Sequence, residues 1–184
     1  MNNKGQIWVE TIVYTLIALI MIGAVLGFAR PKIGEIQDKL TIDQSVEMLE
    51  EINKKIEEVG IGAGNKRVIS IEIDKGEIRI IKNGGGDDLY GQNSIFFIME
   101  ESRSVYSEPT TDETSFISIG NIDVQTKQVG KVNTVKLRLD YDGKYELKYE
   151  GSVLTKSPSP YEITIENEGE IGGSKKNVIS IGVS

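Results

Sequence analysis

The chain has 184 residues and a formal net charge of −7, and it contains neither cysteine nor histidine. Disulfides, thiol nucleophiles and iron–sulfur sites are therefore excluded, as are the usual zinc ligand sets and a Ser-His-Asp triad. The length allows one compact domain and one membrane segment. No stripe of lysine and arginine is present to bind phosphates, so nucleic acid is not an expected partner.

An apolar segment near the N-terminus is the strongest signal in the sequence. No charged residue occurs from Thr11 to Phe28, and a run of this length is enough for a helix to cross a bilayer. A helix over Ile7–Phe28 is about 33 Å long at 1.5 Å per residue, close to the roughly 30 Å of a hydrocarbon core. The run is longer than the apolar region of an ordinary secretory signal peptide, and no small-x-small cleavage site follows it. We therefore expect this helix to stay attached to the chain.

A single carboxylate, Glu10, lies at the start of the apolar segment. A charge there costs up to about 2.5–3.5 kcal/mol at mid-helix and less near an end. Glu10 is either wetted among the headgroups or paired with a partner inside an assembly. The flanking cations are Lys4 on one side and Arg30, Lys32 and Lys39 on the other, and they do not fix the orientation.

The residues before Glu10 complete a short motif. A polar leader ends in Lys4-Gly5, Gln6 follows, and Glu10 comes four residues after Gln6. Over roughly residues 4–28, this arrangement resembles the class III signal peptide of archaeal type IV pilins and pilin-like proteins. Trp8 fits the same region as an anchor at the membrane boundary.

The resemblance implies that a prepilin peptidase cuts between Gly5 and Gln6, on the polar side of the apolar helix. Residues 1–5 would be a leader, and the mature chain would begin at Gln6. It also implies that Glu10 pairs with the new α-amino group of a neighbouring subunit. Such a pair offsets the cost of burying both charges and sets the stagger between helices. The implied partners are identical or related pilin subunits, the peptidase, and membrane lipid before assembly.

Two helical segments are predicted in succession. Residues 6–30 form the membrane and filament-core helix, and residues 31–62 form an amphipathic helix that packs on the head. Pro31 should kink or interrupt the helix, Thr41-Ile42-Asp43-Gln44 is a candidate capping box that restarts it, and glycines from Gly60 onward end it. The apolar residues expected to pack under the head recur mostly every three or four positions: Ile33, Ile36, Leu40, Val46, Leu49, Ile52, Ile56 and Val59.

Residues 65–184 change to the period-two pattern of β-strands. The pattern predicts an antiparallel β-sandwich-like head with hairpins turning at Asp74-Lys75-Gly76 and at Asp140-Tyr141-Asp142-Gly143. The predicted strands are Val68–Ile73, Glu77–Ile81, Ser94–Met99, Phe116–Ile119, Ile122–Val124, Val132–Leu139, Lys144–Glu150, Tyr161–Ile165 and Val178–Val183.

Two loops of the head carry residue types that ligand sites use. Gly84-Gly85-Gly86-Asp87-Asp88 lacks the Lys-Ser/Thr of a phosphate-binding loop, and Asp140-x-Asp142-Gly143 is too short for a calcium-binding EF-hand loop. We interpret both as turns. No nucleophile–base or acid–base pair follows from residue spacing, so catalytic residues, metals and cofactors are not expected. An anchored enzyme is the poorest interpretation.

The sequence thus predicts an α+β fold in which a long N-terminal helix, kinked near Pro31, carries an extracellular β-sandwich-like head. The favoured function is a structural subunit of a type IV pilus-like surface filament. The alternative is a non-polymerising, single-pass membrane protein whose external β-domain binds a surface partner. Cleavage after Gly5 and a requirement for Glu10 distinguish the two. Adhesion, motility and DNA uptake are equally compatible with these features, as are a major and a minor subunit.

Overall fold

The computed structural model describes residues 3–85, 91–112, 115–171 and 175–184. It confirms the α+β fold, with one long N-terminal helix followed by β-sheets that are mainly antiparallel. The chain divides into two compact units, residues 1–37 and residues 38–184. The first unit is helical, and the second contains the C-terminal part of that helix and all the strands described.

Helix α1 spans Asn3–Gly60 and continues through Pro31. The expected interruption at Pro31 and the restart at Thr41 are therefore wrong. Thr41 lies inside the helix, where its carbonyl accepts a hydrogen bond from Ser45 Oγ at 2.8 Å in addition to its helical role. No new helix start is needed at Thr41, because the residues after it stabilise the helix by burying its apolar face in the head. A bend at Pro31 stays a prediction.

Ten strands occur in the described part of the head. Their bounds are β1 Lys66–Ile71, β2 Glu77–Ile81, β3 Ser94–Ser102, β4 Ile117–Ile119, β5 Ile122–Val129, β6 Val132–Asp140, β7 Tyr145–Tyr149, β8 Leu154–Thr155, β9 Tyr161–Glu170 and β10 Asn177–Val183. Each of the nine predicted strands overlaps one of these. The two-residue β8 was not predicted, because so short a strand has no period to detect.

The strands form a four-stranded sheet in the order β1-β9-β10-β7 and a six-stranded sheet in the order β4-β5-β6-β3-β2-β8. Neighbouring strands are antiparallel except β7 and β10, which run parallel. In β7, Tyr145, Leu147 and Tyr149 are buried while Lys148 is exposed, as the alternation of the sequence predicts. The head therefore presents one half-exposed edge strand that is paired in parallel.

Both predicted hairpins are wrong. β1 pairs with β9, whereas β2 pairs with β3 and β8 in the other sheet. Likewise β6 pairs with β3 and β5, whereas β7 pairs with β10. The turns at Asp74-Lys75-Gly76 and Asp140–Gly143 therefore carry the chain from one sheet to the other. Period-two alternation identifies the buried face of a strand but not its neighbour, and two sheets that share one core give the same pattern on both sides of such a turn.

A single hydrophobic core joins the C-terminal part of α1 to both sheets. From the helix it takes Ile42, Leu49, Ile52, Ile56 and Val59, which recur at intervals of three, four or seven residues. The helical stripe predicted to pack under the head is confirmed from Val46 onward, with Val46 itself partly buried against the core. Ile33, Ile36 and Leu40 of the predicted stripe are 52%, 59% and 55% exposed and are not part of this core.

Gly76 occupies a position where the backbone excludes a side chain. Its φ is +89°, and a Cβ atom there would lie 2.8 Å from the carbonyl oxygen of Ile98 and 2.7 Å from the Phe97 ring. We expect Gly76→Ala to lower the free energy of unfolding by about 2–3 kcal/mol, from the left-handed conformation and the clash together.

The matched control for that substitution is Gly143→Ala. Gly143 has a similar φ of +92° but open space around the position of a Cβ atom. It should cost only about 1 kcal/mol, the conformational part alone. Denaturant unfolding of the two variants separates the parts, and equal losses would show that the contact with Ile98 is unimportant.

Candidate membrane and assembly helix

The N-terminal part of α1 exposes its apolar residues on every side. Trp8 is 71% exposed and Phe28 is 74% exposed, and the most apolar stretch between them buries none of its residues. By length and composition this helix is capable of crossing a membrane. A helix that is apolar all round is stable in a bilayer or inside an assembly of helices, because only those surroundings cover all of its faces.

The residues predicted for cleavage and assembly lie in this helix. The backbone of Gly5 and Gln6 is helical, although their side chains lie outside the described residues, and Glu10 is exposed. Gln6 and Glu10 are four residues apart, which places them on the same helix face with an axial separation of about 6 Å. No ion pair joins Glu10 to another residue within the part of the chain that the structure describes. No described residue of the chain therefore supplies a charged partner for the Glu10 carboxylate.

The hydroxyl group of Thr15, in the apolar segment, is compatible with a bilayer. Thr15 Oγ1 donates to the carbonyl of Thr11 at 2.8 Å, one helical turn earlier. Such a bond satisfies the hydroxyl donor within the helix, so burying Thr15 in lipid leaves no unpaired donor there. Glu10 is the one acidic or basic residue, counting Asp, Glu, Lys and Arg, between Trp8 and Phe28.

In the second unit, Asp38 connects the helix to the head. Its carboxylate accepts from Lys75 Nζ at 2.6 Å and from the backbone N–H of Arg103 at 2.8 Å, and the side chain is only 9% exposed. Burial by itself would raise the pKa of Asp38, but the hydrogen bonds from Lys75 and Arg103 outweigh it and hold that pKa below its ordinary value.

The lowered pKa of Asp38 predicts a loss of stability in acid. A carboxyl whose pKa is lower in the folded chain adds stability above its unfolded pKa of about 4, and that stability is lost as the pH falls through the folded pKa. We expect Asp38→Asn to lower the unfolding free energy by about 1–3 kcal/mol at neutral pH, and by much less once the pH is below the pKa of Asp38 in the folded chain. Thermal unfolding of both proteins over this pH range measures the difference; a constant difference would contradict this role of the Asp38 charge.

The C-terminus of α1 is capped by a buried asparagine from strand β9. Asn167 is fully buried, and its Nδ2 donates to the carbonyl of Val59 at 2.9 Å while its Oδ1 accepts from the N–H of Gly169 at 2.8 Å. Its backbone is also paired, with the carbonyl of Asn65 and the N–H of Gly64. The last turn of a helix leaves carbonyls without helical partners, and Asn167 satisfies one of them.

Sequence reasoning did not single out Asn167 or Asp38. The predicted strand ended at Ile165, two residues before Asn167, although the observed β9 continues to Glu170. The sequence did offer a signal for Asn167, which follows Ile163 and Ile165 at the alternate positions that face the core. Asparagine is depleted in strands, so an asparagine at such a position suggests a specific hydrogen-bond partner. Asp38 had no signal, because its partners Lys75 and Arg103 are distant in sequence.

The two loops considered as ligand sites differ in what the structure describes. In the second, Asp140 Oδ1 accepts from the N–H of Asp142 at 2.8 Å, and Asp142 Oδ1 accepts from Asn93 Nδ2 at 3.3 Å. These bonds confirm that Asp140–Gly143 is a turn. The first loop lies partly outside the described residues. Of its five residues, the structure describes Gly84 and Gly85. No cluster of acidic residues suited to a metal ion occurs among the residues that were placed.

Comparison with known proteins gives no relative for this chain. No protein-family model, no curated protein and no solved structure matches it. The apolar helix, Glu10 and the head attached to the second half of α1 are therefore the features from which a function has to be argued.

Proposed function

We propose that this protein is a structural subunit of an extracellular, type IV pilus-like filament. The helix is inserted in the membrane first, with the head outside, and a prepilin-type peptidase cuts between Gly5 and Gln6. The mature subunit then polymerises through the apolar part of α1. No catalytic step is assigned to the protein.

The observation that carries the proposal is the unburied apolar helix with a lone carboxylate at its N-terminal end. Every face of Trp8–Phe28 needs an apolar partner, and lipid and the helices of other subunits both supply one. The helix can therefore move from bilayer to filament without exposing its apolar surface to water. Glu10 favours the filament, because a carboxylate in an apolar core requires an opposite charge beside it, and lipid acyl chains do not supply one.

The alternative is a single-pass membrane protein that does not polymerise and binds a surface partner through its head. It accounts for the apolar helix equally well, and it places Glu10 among the headgroups beside Trp8. It differs from the filament proposal because it requires neither cleavage after Gly5 nor contacts between copies.

Recovery of filaments from cells that express the chain tests the proposal. Shearing of the cell surface followed by sedimentation should release thin filaments that contain this protein. A control chain that lacks residues 1–30 should not enter them. If the full-length chain stays entirely in the membrane fraction of cells that also have a working prepilin peptidase and assembly machinery, the membrane-anchor alternative is favoured.

A further inference from the structure

Strand β4 forms one edge of the six-stranded sheet, and no described residue pairs with its outer side. In this strand Ile117 lies opposite Val124 of β5. Ile119 lies opposite Ile122, and both of these β5 residues belong to the core. Since facing residues of two strands share one side of a sheet, Ile117 and Ile119 point to the core side, yet they are 47% and 53% exposed. The apolar inner face of the sheet therefore continues to this edge, where no described residue covers it.

The opposite face of β4 is held by contacts within its own head. The ring of Phe116, just before the strand, lies 6.4 Å from the Phe96 ring, and the Arg138 guanidinium lies 4.2 Å from the centre of the Phe116 ring. Ser118 Oγ donates to Asp123 Oδ1 at 2.5 Å, and Arg138 Nη2 donates to Asp123 Oδ2 at 2.6 Å. These contacts fix the strand in place, so a partner that pairs with its outer side meets an edge that is already ordered.

The other three edge strands of the described sheets are protected against pairing with another chain. Strand β1 begins with Lys66 and Arg67. Strand β8 is two residues long, and the segment after it contains two prolines. In β7 the backbone carbonyl of Leu147 accepts from the N–H of Asn83, and its N–H donates to Asn93 Oδ1, both at 2.9 Å. Charges, prolines and occupied hydrogen-bonding groups are the usual protections of a sheet edge, and β4 has only its short length.

We infer that β4 pairs with β4 of a second copy of this chain, in antiparallel register about a two-fold axis at Ser118. Ile117 of each copy then lies opposite Ile119 of the other, and the four isoleucines form one apolar cluster that continues both cores. Residues 115–122 carry no charge, so no like charges face each other across the axis. A charged partner, by contrast, would find no opposite charge in this segment. Such a self-complementary surface is the kind that two-fold dimers use.

The contact between the two β4 strands is small. Three paired residues bury far less than the roughly 1,200–2,000 Å² of a stable interface, so the pairing is weak between dilute chains and forms where copies are concentrated. A two-fold pair closes on itself, so it does not extend a polar filament and would instead join subunits of two neighbouring filaments. That role rests on the proposed function, whereas the pairing of two heads depends on neither cleavage nor polymerisation.

Disulfide trapping tests the pairing directly, because the chain has no cysteine of its own. Full-length Ser118→Cys protein in detergent is oxidised with copper phenanthroline, and the disulfide-linked dimer is followed on non-reducing gels. Residues that face each other in an antiparallel pair have Cα atoms about 4.5–5.5 Å apart, which a disulfide can bridge. The matched control is Ser70→Cys, an exposed serine of the edge strand β1. The purified sample contains no peptidase and no assembly proteins, so the result is independent of filament formation.

We expect Ser118→Cys to form dimers about ten-fold faster than Ser70→Cys at equal concentration, since pairing raises the effective concentration of the facing thiols. Adding Ile117→Lys and Ile119→Lys should remove the difference, because lysines would then face each other across the axis. Adding Val68→Lys, at a similarly exposed position of β1, should leave it unchanged. Equal rates for the two cysteine variants would overturn the inference and leave the edge to a partner other than this chain. Cross-linking that persists with both lysines would overturn it too.

Discussion

Glu10→Ala should reduce the yield of surface filaments by about two orders of magnitude while leaving the amount of protein in the membrane unchanged. Removing one partner of a buried ion pair costs about 3–5 kcal/mol, because the other charge is left unpaired in an apolar core. A cost of that size weakens a contact between subunits about a hundred-fold or more. In the bilayer, by contrast, the substitution removes a charge and should favour insertion.

The matched control for Glu10→Ala is Glu35→Ala, which removes another helical carboxylate. Glu35 pairs with Lys32 of its own chain, and both side chains are well exposed, so its loss should cost less than about 1 kcal/mol. Glu10→Gln keeps the size of the side chain and removes its charge, and it should resemble Glu10→Ala if the charge is what matters. Filaments of normal yield from Glu10→Ala would exclude the assembly role of Glu10 and favour a carboxylate that is merely wetted at the membrane boundary.

Asn167→Ala should destabilise the head by about 3–5 kcal/mol. The substitution leaves two groups inside the fold without their partner, the carbonyl of Val59 and the N–H of Gly169. Each such group costs about 1–3 kcal/mol when water cannot replace the bond. Because Val59 is also a core residue, the loss should loosen the end of α1 from the sheets, and not only from β9. Denaturant unfolding of the detergent-solubilised chain measures the change.

Two further variants separate the parts of the Asn167 cap. Asn167→Asp keeps the acceptor for Gly169 but replaces the donor to Val59 with an oxygen, so it should be at least as damaging as alanine. Asn177 Nδ2 reaches the neighbouring carbonyl of Gly60 at 3.4 Å from a partly buried position. Asn177→Ala should therefore cost only about 0.5–1.5 kcal/mol. Equal losses of unfolding free energy for Asn167→Ala and Asn177→Ala would show that the buried hydrogen bonds of Asn167 stabilise the head no more than the half-buried one of Asn177.

The fold class and most strands could be predicted from the sequence, because they depend on local periodicity. The uncharged run Thr11–Phe28 and the alternating residues of β7 are two such patterns, and each predicted element overlaps an observed one. The continuity of α1 through Pro31 was not predicted. Local sterics disfavour a proline inside a helix, yet α1 continues through Pro31.

Strand order could not be predicted, for a physical reason that the two rejected hairpins illustrate. Gly76 and Gly143 both adopt the positive φ that a hairpin turn requires, yet each lies in a connection between sheets. The real two-residue turns include Gly130-Lys131, which joins β5 to β6 where Val129 pairs with Val132. A left-handed glycine marks a turn, but the partner of each strand is decided by packing across the whole core.

Within the candidate site, Glu10, Gly5 and Gln6 were predicted from their spacing relative to the apolar run, and their roles stay predictions. The predicted stripe combined Ile33, Ile36 and Leu40 with residues that the core buries, because a stripe at intervals of three and four residues does not reveal which surface covers each residue. The structure places Ile42, Leu49, Ile52, Ile56 and Val59 in the core and leaves those three exposed.

The most direct test of the account is the N-terminal sequence and intact mass of the protein purified from its native membrane and surface fractions. The account predicts that the filament fraction contains only chains that begin at Gln6, lighter than the full-length chain by residues 1–5. A chain that still begins at Met1 in every fraction, from cells with an active prepilin peptidase, would contradict the filament proposal and favour a membrane-anchored β-domain.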